Sequence, residues 1–153
     1  MRLFRLVKER YAADPLDPQG ARRYGGRWNS RGRGGVYASD SIALAALEKL
    51  VHLHRPEVLE GFVLCSFELD EAQVMRLAPD GLPRDWRTDP VPRSTQRIGD
   101  EWLQRGASLA LAVPSTLVPQ QSNFLVNPEH PGFEALKASV TMEPFRFDPR
   151  LQG

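Results

Sequence analysis

The sequence predicts an α+β fold. Strand-like and helix-like segments are mixed along the chain without a regular strand–helix–strand alternation. No GxGxxG follows a strand and no GxxxxGK(S/T) is present, so neither a doubly wound sheet nor a P-loop site is supported. The 153 residues fit one domain spanning positions 1–153, and an apolar fraction of 41% is enough for a real core.

Each element has a local reason. Leu3 to Val7 reads as a first strand. Residues 13–35, rich in Gly, Pro, Asp and Arg, read as a long loop with turns. Val36–Ala38 reads as a brief strand. Ser39 or Asp40 then caps a helix from about Ser41 to Leu53. Phe62 to Leu69 alternates, with Val63, Cys65, Phe67 and Leu69 on one face, which is a strand between Gly61 and Asp70. Residues 78–93, with Pro79, Pro83, Pro90 and Pro92 around Trp86, read as a surface loop. Ser94 caps a helix that ends at Gly106. Leu109–Val113 reads as a buried strand broken by Pro114-Ser115, and Phe124–Val126 as another stopped by Asn127-Pro128. A short helix is expected near Phe133–Leu136, and Val140–Phe147 closes the chain as a strand interrupted at Pro144.

Charge and cysteine usage narrow the classes. Twenty lysines and arginines against nineteen acids give a net charge of +1, with no global pull toward nucleic acid or acidic membranes. The basic residues concentrate early, with Arg2, Arg5, Lys8, Arg10, Arg22, Arg23, Arg27, Arg31 and Arg33 set against Glu9, Asp14 and Asp17. One cysteine, Cys65, permits no intrachain disulfide and fits a reducing compartment. MRLFRLVKER lacks the apolar core of a secretory signal, and no stretch approaches the roughly 18 apolar residues of a membrane span. A cytoplasmic protein is expected.

The helix after Ser41 is the most informative segment. At about 100° per residue Ile42, Ala46, Leu50 and Leu53 fall together, and Leu44, Leu47 and Val51 cover the adjoining side, so the helix is expected to be largely buried. Glu48 and His52, one turn apart beside Ala45, interrupt the apolar surface, with Lys49 at the stripe's edge. A carboxylate there requires either an ion pair, with His52 or an arginine, or the wall of a wet pocket. The turn Gly25-Gly26-Arg27-Trp28 lets the backbone bend sharply. Arg27 suits a phosphate, Trp28 suits packing, and Tyr37 is either a stacking ring or an ordinary strand residue. No metal site is expected: His52 and His54 have the wrong spacing for one helix face, His130 is isolated and Cys65 is alone. Ser115 lacks the G-x-S-x-G elbow of an esterase nucleophile.

These blocks together resemble the RES domain family. The carrying text is Gly26-Arg27-Trp28-Asn29, Gly35-Val36-Tyr37-Ala38-Ser39, Ala46-Leu47-Glu48-Lys49-Leu50-Val51-His52, Val113-Pro114-Ser115 and Asn123 through Pro131, in the family's order and over nearly the whole chain. The segment from Leu69 to Arg105 matches poorly. The resemblance implies a compact fold related to ADP-ribosyltransferase toxins. It also implies a toxin encoded beside an antitoxin with a helix-turn-helix DNA-binding region, with NAD+ as its substrate. Cleavage of the nicotinamide–ribose bond by hydrolysis or phosphorolysis is the expected reaction, with ADP-ribosyl transfer onto a protein acceptor as the rival outcome. Arg27, Tyr37 and Glu48 match the NAD-site residues, and Ser115 is the motif serine. His52, Asn123 and Asn127 lie in matching blocks, and Arg5 is expected to help Arg27 on the diphosphate. Membrane partners and direct nucleic-acid binding are not expected. A non-enzymatic nucleic-acid module is weighed against by the near-neutral charge and the lack of a recognisable binding motif.

Overall fold

The computed structural model describes residues 1–53 and 59–152; His54 lies outside them. Seven strands and four α-helices follow in the order β1 (Arg2–Lys8), α1 (Gln19–Tyr24), β2 (Val36–Ser39), α2 (Ile42–Val51), β3 (Phe62–Glu68), β4 (Val74–Arg76), α3 (Arg93–Arg105), β5 (Ala110–Pro114), β6 (Ser122–Val126), α4 (Phe133–Ala138) and β7 (Thr141–Phe145). The α+β class holds. The strands join in one sheet ordered β4-β5-β6-β2-β1-β3-β7, antiparallel except for the β4–β5 pair.

The sheet is really two ladders. β1 pairs with β3 along its whole length, and β2 pairs with β6 at four positions. β1 and β2 meet at one position, Phe4 opposite Ser39. A four-stranded and a three-stranded ladder therefore touch through a single residue pair. Beyond it Arg5 spans the opening: its Nη1 donates to the Tyr37 carbonyl on β2 (2.9 Å) and its Nε to the Pro15 carbonyl (3.0 Å). The side chain supplies bonds that a backbone ladder would otherwise make.

One face of the sheet carries a continuous core, where Leu3, Val36, Ala38, Phe67, Ala110, Phe124 and Val126 pack against Leu16 and against Phe133 and Leu136 of α4. The other face carries two separate clusters. Leu111, Val113 and Leu125 pack under Trp28 and under Trp102 and Leu103 of α3. Leu6, Phe62 and Leu64 pack with Leu59, Phe147 and the Ala46, Leu50 and Leu53 stripe of α2. The Glu48 network described below joins α2, which packs in the second cluster, to the strands that carry the first.

Several local expectations change. α2 is capped by Ser41, whose hydroxyl accepts from Leu44 N at 3.0 Å, so it starts one residue later than expected. Ser39 belongs to β2 instead. α2 is not largely buried: Leu44 and Ala45 are its buried residues, and Ile42, Leu47 and Val51 are 40%, 41% and 51% exposed. Its outer apolar side faces solvent because only one side rests on the sheet. α3 begins at Arg93 with Pro92 as its N-cap, while the Ser94 hydroxyl bonds Asp85; its end at Gly106, in the left-handed region, is as expected. The short α1 and β4 interrupt segments in which neither was expected.

Candidate active site

α2 crosses the junction of the two ladders, and Glu48 points toward the four-stranded one. Ser39 on β2, Asn123 on β6 and Val113 on β5 lie in register, and residues directly opposite share a face. Ser115, just past β5, has the parity of Val113. Glu48 therefore meets Ser115 and Asn123 across 67 and 75 residues of sequence.

The hydrogen bonds are short and directional. Glu48 Oε1 accepts from Ser115 Oγ at 2.6 Å and from Asn123 Nδ2 at 2.7 Å. Ser115 Oγ in turn accepts from the backbone N–H groups of Leu117 and Val118, both at 3.1 Å. With two N–H groups on its lone pairs, the Ser115 proton is directed at the carboxylate. Asn123 Oδ1 accepts from Ser39 Oγ at 2.7 Å. One carboxylate oxygen is thus fixed twice, while Oε2 has no hydrogen bond to the protein among the described residues. Glu48 is half-buried, and Ser39 and Ser115 are buried. This arrangement holds a negative charge at a fixed place with one oxygen left to face a ligand.

A second polar cluster sits on the same face, two residues along β2. The Tyr37 hydroxyl donates to Asn29 Oδ1 (2.6 Å) and accepts from Trp28 N (3.0 Å). Asn29 Nδ2 donates to the carbonyls of Ala21 and Arg33, both at 2.9 Å. Burial raises the Tyr37 pKa, so the phenol stays neutral. Close approach is required here: a Cβ on Gly26 would meet the Tyr37 hydroxyl at 2.7 Å, and one on Gly99 of α3 would collide with the Trp28 carbonyl. Trp28 itself is buried, the packing residue expected.

Arg27 extends from this turn. Its Nη1 donates to the carbonyls of Trp86 and Thr88, each at 2.9 Å. Its Nε and Nη2 have no protein partner among the described residues, and that edge is a two-pronged donor. Arg87 reaches from the same loop to the Thr116 carbonyl at 2.8 Å, beside Ser115. The proline-rich loop is thereby tied both to the Arg27 turn and to the Ser115 turn.

The other sequence candidates make no hydrogen bond to the carboxylate. Arg5 fills the gap between β1 and β2, keeping Nη2 unpaired among the described residues. Burial lowers its pKa and raises that of Cys65 opposite it. His52 is the exposed C-cap of α2 and makes no side-chain bond to Glu48. Asn127 is buried and spent in a turn, donating to Leu103 O at 3.1 Å and accepting from Glu129 N at 3.0 Å. It lies just past the end of β6, four residues from Asn123 and about 13 Å away at strand rise. Lys49, beside Glu48, is pulled down to about 8, chiefly by burial and then by the cations Arg5 and Lys8. Asn29 had no assigned role in the sequence, and Ser39 was expected only as a possible helix cap. Both stand inside the resembling blocks, which was the available signal.

Among the described residues no group of three or more His, Cys, Asp or Glu side chains could hold a metal ion. None of the described helices is long and apolar enough to cross a membrane. A shallow groove of about 500 Å³ lies between the 30–33 turn and α3, lined by Arg31, Arg33, Arg93 and Arg97 with Asp100 and Glu101. None of its residues belongs to the Glu48 network.

Comparison with known proteins shows the family and the fold. Residues 2–148 match the RES domain. A protein of Yersinia enterocolitica named Toxin Res is 45% identical over 99% of this chain and 100% of its own length. A Prs ADP-ribosylating toxin of a Sphingobium species is 37% identical over 92% of this chain and 89% of its own. Among solved structures, the M. tuberculosis MbcT–MbcA toxin–antitoxin complex superposes with a TM-score of 0.72 at 20% identity, covering 98% of this chain and 85% of that one. At that identity the likeness is one of fold.

Proposed function

The chain belongs to the RES domain family, and we propose that it is the toxin of a toxin–antitoxin pair that binds NAD+ and cleaves the bond between nicotinamide and ribose. The observation that carries this reading is the Glu48 carboxylate, with Oε1 bonded by Ser115 and Asn123 and Oε2 without a hydrogen bond among the described residues. Nicotinamide leaves NAD+ with the electron pair of the C–N bond and needs no protonation, so one carboxylate suffices where most glycosidases use two. Positive charge develops on the ribose as that bond stretches, and a fixed carboxylate stabilises it without reorganising. Water or phosphate then bonds to the ribose carbon, and its proton passes to solvent.

In this reading Arg27 grips the diphosphate with its Nε–Nη2 edge, Arg5 Nη2 assists, and Tyr37 limits the orientation of the nicotinamide. Ser115 and Asn123 act on the carboxylate rather than on the substrate. In this reading Asn127, whose amide is spent in a turn, and His52, exposed at the end of α2, have no direct part in the chemistry.

A second reading has specific support. The Sphingobium relative is named an ADP-ribosylating toxin, and transfer to a protein shares the bond-breaking step. The likeness to a toxin–antitoxin complex supports an antitoxin partner, and a helix-turn-helix region in it is the family expectation. Incubating the purified protein with labelled NAD+, with and without phosphate, separates the outcomes. Free nicotinamide with ADP-ribose or its phosphate is expected. Label that enters protein only in a cell extract favours transfer, and intact NAD+ under both conditions overturns the proposal.

A further inference from the structure

The Ser39 hydroxyl is buried and makes no hydrogen bond to Glu48, and its proton has one acceptor among the described residues, Asn123 Oδ1 at 2.7 Å. We propose that Ser39, acting through Asn123, is a positioning residue that keeps Glu48 aimed and ionised. This rests on the reading of Glu48 as the reacting carboxylate.

The argument is one of donors and acceptors. The two ends of the Asn123 amide differ: one accepts, the other donates. In the observed orientation Nδ2 donates to Glu48 Oε1 at 2.7 Å. With the amide turned over, Oδ1 would face the carboxylate oxygen at that distance, acceptor against acceptor, which is tolerated only when Glu48 carries a proton. The turned amide would also leave the buried Ser39 proton without a partner, and burying an unpaired donor is costly. The Ser39 hydroxyl therefore selects the amide orientation that favours charged Glu48. Its own place is rigid. It is the β2 residue that pairs with Phe4 of β1 while also pairing with Asn123 of β6, so both ladders fix its backbone.

The titratable side chains on the surrounding elements are Lys49 and His52 on α2, Arg2, Arg5 and Lys8 on β1, Tyr37 on β2, Asp40 just after it, and Arg87, which reaches the Thr116 carbonyl from the proline-rich loop; β5, β6 and the 115–121 turn carry none of their own. All are retained in the variants below, so a difference between variants isolates the hydroxyl.

The test combines kinetics with a titration that needs no turnover. In Ser39→Ala, kcat for NAD+ cleavage should fall about tenfold with KM nearly unchanged. The acid limb of the kcat profile should move upward. The Glu48 side-chain carboxyl carbon, followed by NMR in the full chain, should titrate about half a pH unit to one unit higher than in wild type. Ser39→Thr keeps the hydroxyl and should restore both. If Ser39→Ala does not fold, Ser39→Cys, of similar size and a weak donor, should show the same upward midpoint. An unmoved Glu48 midpoint in a folded variant overturns the proposal, whatever happens to kcat. Wild-type protein that leaves NAD+ intact while the Ser39→Ala midpoint rises removes the proposed activity and keeps the positioning role.

Discussion

Two polar clusters share one face of the four-stranded ladder, and they are finished differently. Around Tyr37 and Asn29 the tyrosine hydroxyl both donates and accepts, and the asparagine amide reaches four neighbours. Around Glu48 one oxygen is bonded twice and the other not at all within the described protein. A buried polar group with every bond made holds a structure together. A fixed charge with an oxygen to spare is equipped to meet something else. The difference separates residues that shape the site from the one that would act in it, although all of them stand in the same resembling blocks.

The sharpest test of that contrast is Glu48→Gln. It keeps the side chain's size and one acceptor oxygen but removes the charge. Turnover of NAD+ should drop about 10²–10³-fold, as when a preorganised electrostatic group is lost. The melting temperature should stay within a few degrees. Equal turnover in the variant would remove Glu48 from the chemistry.

The Tyr37–Asn29 cluster should respond the other way round. Asn29→Ala leaves the carbonyls of Ala21 and Arg33 and the Tyr37 hydroxyl short of partners in a buried turn. A loss of about 2–3 kcal/mol in unfolding free energy is expected, read by chemical denaturation. The protein that remains folded should keep most of its kcat. A large kcat defect at unchanged stability would erase the distinction between the clusters.

Arg27 lies between the two cases, because one half of its guanidinium holds the Trp86–Thr88 loop and the other half has no partner among the described residues. Arg27→Ala should raise KM for NAD+ about tenfold, with a smaller change in kcat. Faster amide exchange in residues 85–90 should accompany it, since the loop loses its tether. An unchanged KM with a loosened loop would make Arg27 a structural residue like Asn29.

How much of this was legible follows from particular residues. The β3 alternation from Phe62 fixed a strand and its faces, and Gly106 fixed the end of α3, because period and backbone conformation are local properties. β4 was not legible: Val-Met-Arg is three residues without a pattern, and it is a strand because β5 runs beside it. α1 was hidden by the Gly- and Pro-rich composition on both sides of it. The exposure of Leu47 and Val51 was missed because periodicity reports how apolar a helix face is, not whether anything covers it. The wet-wall reading of Glu48 came from its helix. Its partners Ser115 and Asn123 came from resemblance alone, since no local rule links residues 67 or 75 positions apart. Ser39 was misread as a possible helix cap because Ser41, two residues on, has the same chemistry.

The smallest effect concerns Lys49, which shares a helix with Glu48 and shows the opposite economy: a charge whose surroundings oppose it. Burial, followed by Arg5 and Lys8, pulls its pKa from 10.5 to about 8. The folded value lies below the unfolded one. Between about pH 8 and 10.5 the unfolded chain holds a proton that the folded chain lacks, so this residue makes stability rise with pH across that window. Below about pH 8 its destabilising effect is fully present. Lys49→Met removes it and should stabilise the protein at pH 7 by about 1 kcal/mol; the shift would allow more, but the side chain is only partly buried and water offsets part of the cost. The advantage should shrink steadily as pH is raised from 8 to 10.5, read as the difference between the two denaturation midpoints at each pH. A difference that stays constant over that range would mean the methionine gains by packing alone. Lys49 would then carry no electrostatic cost, and the charge contrast along α2 would reduce to Glu48.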